Sequence, residues 1–404
     1  MQRSLLLREA PGQGAATGDP LPLLAKGFRP FFMLAAFYAV VMVPLWLAIL
    51  NGKLAPSSYL QPVVWHAHEM IGGFVTAVIA GFLLTAVGNW TQRETATGAP
   101  LAALALLWCA GRLAMLFAGV LPWGVAAAVD LAFLPALGIV LARPLVAAQN
   151  RRNFVMLAIV GALFGANLVV HLEGLGLLPL GWARVASSFS VDLVVLLVLL
   201  IGGRVFPMFT RNATGVASIR NIPWLDRSCA VAMVGLLVAD AVAPHSVAPI
   251  LAGVVGVLAA ARAVHWGTRH SLRDPLVWVL HVGYGWLVVG LLLRCSSGVL
   301  GAPLASVAIH ALTVGAIGTL TLGMMARVAL GHTGRMLVAP SSMTAAFVAI
   351  TLAALARVLG PWLVPEQYLV GLVAAGIFWV LAFTVFLTAY SPMLCRPRAD
   401  GKPG

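Results

Sequence analysis

Residues 185–206 read VASSFSVDLVVLLVLLIGGRVF, and from Val191 to Ile201 a single aspartate interrupts an otherwise unbroken apolar run. A helix of this length spans about 33 Å, enough to cross the hydrocarbon core of a bilayer. The run is continuously apolar and lacks the ten-residue alternation of transmembrane strands, so it reads as a membrane-spanning helix.

The rest of the chain repeats the pattern. Of 404 residues 61% are hydrophobic and only 9% charged, too little polar surface to cover a soluble globule. About twelve apolar stretches are long enough to span. They run near Phe31–Leu50, Val63–Val87, Leu101–Ala118, Leu121–Leu141, Phe154–Leu172 and Val185–Phe206, then Ser228–Ala243, Val247–Trp266, Leu276–Leu293, Pro303–Leu330, Met343–Gly360 and Tyr368–Tyr390. The seventh is the shortest. The fold class is therefore all-α, a polytopic bundle of about twelve helices over residues 28–390, with tails at 1–27 and 391–404.

Alternating the spans across the membrane sorts 20 of the 25 lysines and arginines to one side and leaves Lys53, Arg112, Arg184, Arg294 and Arg357 on the other. This bias predicts a multi-pass protein with both termini in the cytoplasm. The net charge of +13 follows from the same split and from anionic lipid, with no need of nucleic acid as a partner. Leu5–Leu7 is too short an apolar run for a cleavable signal. Cys109, Cys229, Cys295 and Cys395 are widely separated, which argues against covalent haem and cysteine-ligated clusters.

The informative polar residues are those inside spans, where they are costly and tend to mark function. This topology sets His66, His68, His171 and His310 at one depth near the outer face, a candidate metal or haem layer. His66 and His68 leave their helix about 200° apart, so they suit two sites on opposite faces, or one ligand and one structural residue. Glu69, three residues after His66, is expected to orient that imidazole or carry a proton. Asp130, Asp192 and Asp240 also fall in spans, as proton carriers or partners for Arg112; Asp192, preceded by Ser187, Ser188 and Ser190, is the foremost. His245 reads as a loop residue and His281 as a weaker candidate. Residues 203–212, GRVFPMFTRN, and 331–335, GHTGR, read as a proline-terminated helix end, a turn and basic anchors, or as an inner pocket for an anion.

FRPFF at 28–32, WHAHEM at 65–70, the 204–212 run, HALTVG at 310–315 and GHTGR together closely resemble the NnrS family, in the family's order and over about residues 25–390. The resemblance implies a twelve-helix protein of the bacterial inner membrane that contains haem and copper and is associated with denitrification and nitric oxide resistance. Histidines on the second and tenth helices also resemble the catalytic subunit of haem-copper oxidases and nitric oxide reductases, where two such residues hold a haem. This chain departs from that pattern: the seventh helix has no histidine pair, and its H-x-H lies on the second helix.

On these resemblances His310 and either His66 or His68 are expected as axial ligands of a non-covalent b-type haem, with the remaining H-x-H member and His171 on copper or a second haem. Nitric oxide is the expected ligand or substrate, a quinol a candidate electron donor, and Glu69 and Asp192 the proton carriers. A transporter, metal-handling protein or nitric oxide sensor without turnover is the alternative. The topology itself is open to test. Reporter fusions should place the loops after Arg151, Arg211, Arg269 and Arg335 inside the cell and those around Lys53 and Leu178 outside; an external signal from the Arg211 fusion would overturn the depth assignment.

Overall fold

The computed structural model describes residues 21–55, 58–242, 246–300, 302–363 and 365–402; most of the 1–27 tail and the loop residue His245 lie outside them. Helices dominate the described residues, and no strand occurs among them. The bundle consists of α1 Phe28–Leu50, α2 Pro62–Thr91, α3 Gly98–Leu116, α4 Trp123–Ala147, α5 Arg151–Gly174 and α6 Trp182–Thr214. It continues with α7 Pro223–Val242, α8 Val247–Trp266, α9 Pro275–Gly298, α10 Leu304–His332, α11 Ser341–Leu363 and α12 Pro365–Leu394. Eleven of these are long and apolar enough to cross a membrane. The exception, α7, carries Asp226, Arg227 and Asp240 along its length.

Neighbours in sequence are mostly neighbours in space, and α12 packs back on α1 to close the bundle. The most enclosed helices are α2, α10 and α6, with 78%, 67% and 61% of their apolar windows buried, so these three form the interior. They touch one another: α6 packs on both α2 and α10. At one end of the bundle the start of α1 meets the ends of α10 and α12. There Arg29 donates from one terminal nitrogen to the carbonyls of Leu394 at 2.9 Å and Arg396 at 2.7 Å, and Arg398 donates to the carbonyl of His332 at 3.1 Å.

Two interior helices change winding at a histidine. In α2 the backbone passes into a π-helix over Glu69–Val75, directly after His68, and in α10 it does so over Ala311–Gly318, directly after His310. Such stretches are rare and frequently sit at functional sites. The carbonyls displaced in α2 are taken up locally: Gly72 accepts from the Thr76 hydroxyl, and Gly73 accepts from the Trp108 indole at 3.2 Å. Small residues make room for close neighbours. A β-carbon at Gly73 would clash with the Tyr38 ring, and one at Gly290 of α9 would stand 3.0 Å from the backbone nitrogen of Leu312 in the π-helical part of α10.

The largest difference from the expected boundaries falls at the end of α6. Pro207 does not end α6, which continues to Thr214. Gly203, the residue whose carbonyl a proline ring crowds, lacks a side chain and gives the backbone room, and Gly215 ends the helix at a positive φ of 71°. The GHTGR turn docks the chain's last segment, since the Thr333 carbonyl accepts from Ala399 N at 2.9 Å. Beyond the helices, hydrogen bonds from Arg398 hold the Asp400 carboxyl well below the usual carboxylate range.

Candidate metal centre and the second histidine pair

His68 points from α2 toward α3, α4 and α5, where it meets Asp130 of α4 and His171 of α5. The Nε2 atoms of both imidazoles converge on one oxygen, Asp130 Oδ2, at 3.1 Å for His68 and 2.8 Å for His171. The rings stand edge to face with centroids 5.2 Å apart, and all three residues are buried. One ligand atom from each lies within 4.8 Å of the others, close enough for a single metal ion.

The outer nitrogens are held as well. His68 Nδ1 lies 2.7 Å from Glu69 Oε1, and His171 Nδ1 lies 2.6 Å from the Tyr59 hydroxyl. This is the arrangement in which a ligating imidazole offers Nε2 and fixes its tautomer through Nδ1–H to a carboxylate or hydroxyl oxygen. Asn167 donates its amide to Asp130 Oδ2 at 2.8 Å. Arg112 of α3 bridges the carboxylates, donating to Glu69 Oε2 at 2.9 Å and pairing with Asp130, while the Tyr38 hydroxyl donates to Glu69.

With neutral imidazoles, the Glu69 and Asp130 carboxylates exceed the Arg112 guanidinium by one negative charge in a low-dielectric layer. Both ring nitrogens of His68 face carboxylate oxygens, which only accept. The ring satisfies them by carrying two protons, or by donating from Nδ1 and presenting Nε2 to a cation shared with Asp130. Two imidazole nitrogens, one carboxylate oxygen and an unmatched negative charge fit a copper ion, and also iron or zinc.

His66 turns to the opposite side of α2, as the two-residue spacing requires. Its ring lies flat against Trp46 of α1, with centroids 4.4 Å apart and an interplanar angle of 13°. His310 lies on α10 and has its own partners. Arg357 donates to His310 Nε2 at 3.1 Å, and His310 Nδ1 donates to the Ser306 carbonyl at 2.7 Å. These partners fix the tautomer: a guanidinium only donates, so Nε2 carries the lone pair, the form in which histidine ligates iron. That donor set fits an axial haem ligand.

The structure thus brings His68 together with His171; His66 stacks on Trp46 and His310 is bonded by Arg357, with no direct contact between these two histidines among the described residues. Glu69 does not pair with His66 three residues earlier. It bonds the adjacent His68, because the Arg112 and Tyr38 donors draw the carboxylate to that side just where the helix widens. Asp192 lies apart from both groups, gripped by Arg294 at 2.7 and 2.8 Å, and the same guanidinium reaches Asp240 at 2.5 Å. His281 is bonded to the hydroxyls of Thr210 at 2.9 Å and Thr268 at 3.0 Å.

Sequence reasoning did not select Asp130 as a ligand, nor Tyr59, Asn167, Tyr38 or Arg357 as partners. The signal for Arg357 was its charge inside a span. Tyr59 comes from the α1–α2 connection, and no local pattern marks it. Beside His68 lies a cavity of about 20 Å³ lined by Gly72, Leu163, Asn167, Ser187 and Ser190, room for one water or one diatomic molecule.

The fold and site define a polytopic helical membrane protein with buried histidine groups suited to metals. The chain belongs to the NnrS family: the NnrS protein family matches residues 22–398, nearly the whole chain. Membership places it among nitric oxide-related membrane proteins. No curated protein matches the chain.

Removing the Arg112 charge while keeping its bulk leaves two buried carboxylates uncompensated. Arg112→Met should therefore cost about 3–5 kcal/mol in detergent unfolding. A loss below about 1 kcal/mol, the range of exposed pairs, would show that the network is not the buried ion pair described.

Proposed function

We propose that this protein is a haem- and copper-binding redox protein of the bacterial inner membrane that binds and acts on nitric oxide. The observation that carries the reading is the division on α2: His68 converges with His171 on Asp130, while His66 turns to the opposite side and stacks on Trp46. Copper belongs at His68, Asp130 and His171, and a non-covalent b-type haem at His66 and His310.

Bound there, these groups would supply one-electron chemistry with nitric oxide. The chain's own residues do the rest. Glu69 and Tyr59 orient the two imidazoles through their Nδ1 atoms, and Asn167 and Arg112 fix the Asp130 carboxylate. The small cavity next to His68 offers a diatomic molecule a place beside the ligand set, and its Ser187 and Ser190 hydroxyls lie on the α6 face turned toward it. Glu69, held by three partners, acts first as a positioning carboxylate, and through His68 it offers a route for a proton to the centre. Asp192 serves a separate site, where two carboxylates share one guanidinium and the surplus negative charge can take up a proton. Electrons would come from a membrane-soluble donor such as a quinol.

The Asp130 carboxylate favours one second reading, a non-haem iron in place of copper, since two histidines and a carboxylate suit iron as well. Metal analysis decides between them.

The test separates the two faces of α2. His68→Ala should lose bound copper, by at least about tenfold in affinity, and keep the haem Soret band. His66→Ala should keep copper and lose or convert the haem spectrum. Equal effects of both variants on both cofactors would contradict two separate centres. A purified wild type that takes up neither haem nor copper would contradict the reading as a whole.

A further inference from the structure

The arginines of the histidine layer come in two kinds. Arg112 is matched by Glu69 and Asp130, and Arg294 by Asp192 and Asp240. Arg357 is 9% exposed and has no carboxylate within ion-pair distance among the described residues. Its side-chain partner is neutral, His310 Nε2 at 3.1 Å. A lysine so placed could shed its proton, but a guanidinium cannot. Such a cation in a membrane interior calls for an anion.

The geometry around it narrows the chemistry. The guanidinium is planar, and its parallel N–H groups match the two oxygens of a carboxylate. It bonds directly to His310, one of the two histidines assigned above to haem. His310 Nε2 has one lone pair, which serves either Arg357 or a metal. A metal ion that took that nitrogen would release the Arg357 N–H for another acceptor.

We propose that Arg357 is the counter-ion of the haem propionates, anchoring by a carboxylate the macrocycle whose iron is held by His66 and His310. The inference rests on the haem reading and adds a residue that fixes the orientation of the cofactor. A free oxyanion such as nitrite has the same chemistry, and the experiment tells the two apart.

The experiment titrates protein prepared without haem with protohaem and with its dimethyl ester, whose propionates carry no charge. It uses the wild type, Arg357→Gln and Arg357→Lys, with affinity read from the Soret band. The wild type should bind protohaem about tenfold more tightly than the ester. Arg357→Gln should bind the two forms equally and bind the ester as the wild type does, which also shows that the variant is folded. Arg357→Lys should keep part of the preference, because an ammonium retains the charge without the fork. An unchanged preference in Arg357→Gln, or no preference in the wild type, overturns the proposal while leaving haem binding intact. A wild type without preference, whose haem spectrum responds to nitrite while that of Arg357→Gln does not, assigns Arg357 to a free anion and overturns the propionate role. Failure of the wild type to bind either haem overturns the haem reading and this proposal with it.

Discussion

Arg112 joins Glu69 of α2 to Asp130 of α4 in the interior of a mostly apolar bundle. A single guanidinium between two buried carboxylates binds α2, α3 and α4 together and leaves one negative charge over. Everything around the metal centre is arranged about that pair. Asp130 is held where His68 and His171 can converge on it, and Glu69 is held where it can fix the His68 ring. The hydrophobic effect that separates soluble cores from water does little between helices in lipid, so polar contacts of this kind carry more of the burden of choosing partners. Their stability is conditional, because a buried network is favourable only while each member is satisfied.

The second organising feature is the winding of α2. Two histidines two residues apart leave an α-helix on opposite faces, so one segment serves two sites without either crowding the other. The π-helical stretch that begins at Glu69 widens the helix just beyond His68, and its displaced carbonyls find donors in Trp108 and Thr76. The matching stretch after His310 in α10 places the same irregularity next to the other histidine pair. Glycines at 73, 283, 290 and 315 let the Tyr38 ring, α10 and the Trp286 ring approach these segments closely. Within the stretch after His310, Gly315 and Gly318 pack against the Trp286 and Trp379 rings.

The spans were legible because hydropathy and length alone define them, and α7 was the least distinct in sequence for the reason it is least apolar in structure: its charged residues at both ends. The opposite directions of His66 and His68 followed from helical geometry. What periodicity could not supply was azimuth between helices. The spans located Asp130 on α4 and His171 on α5, but only packing shows that the two helices turn those residues toward each other. The expected Glu69–His66 pair assumed regular α-helical spacing, which fails where the backbone widens and where Arg112 and Tyr38 compete for the carboxylate. Asp192 was read from its serine-rich approach, yet Ser190 and Asp192 leave α6 on different sides, one lining the cavity near His68 and the other meeting Arg294. Tyr59 belongs to a connecting segment, where sequence gives no hint of a partner 112 residues away.

The central claim is that the His68 side of α2 is a metal site built from imidazole and carboxylate alone. The most direct measurement is the copper-edge X-ray absorption spectrum of the copper-loaded protein. The account predicts a first shell of nitrogen and oxygen with the outer-shell scattering of two imidazoles and no sulfur. A sulfur scatterer, or a shell with no imidazole signature, would contradict it and move the copper away from His68, Asp130 and His171.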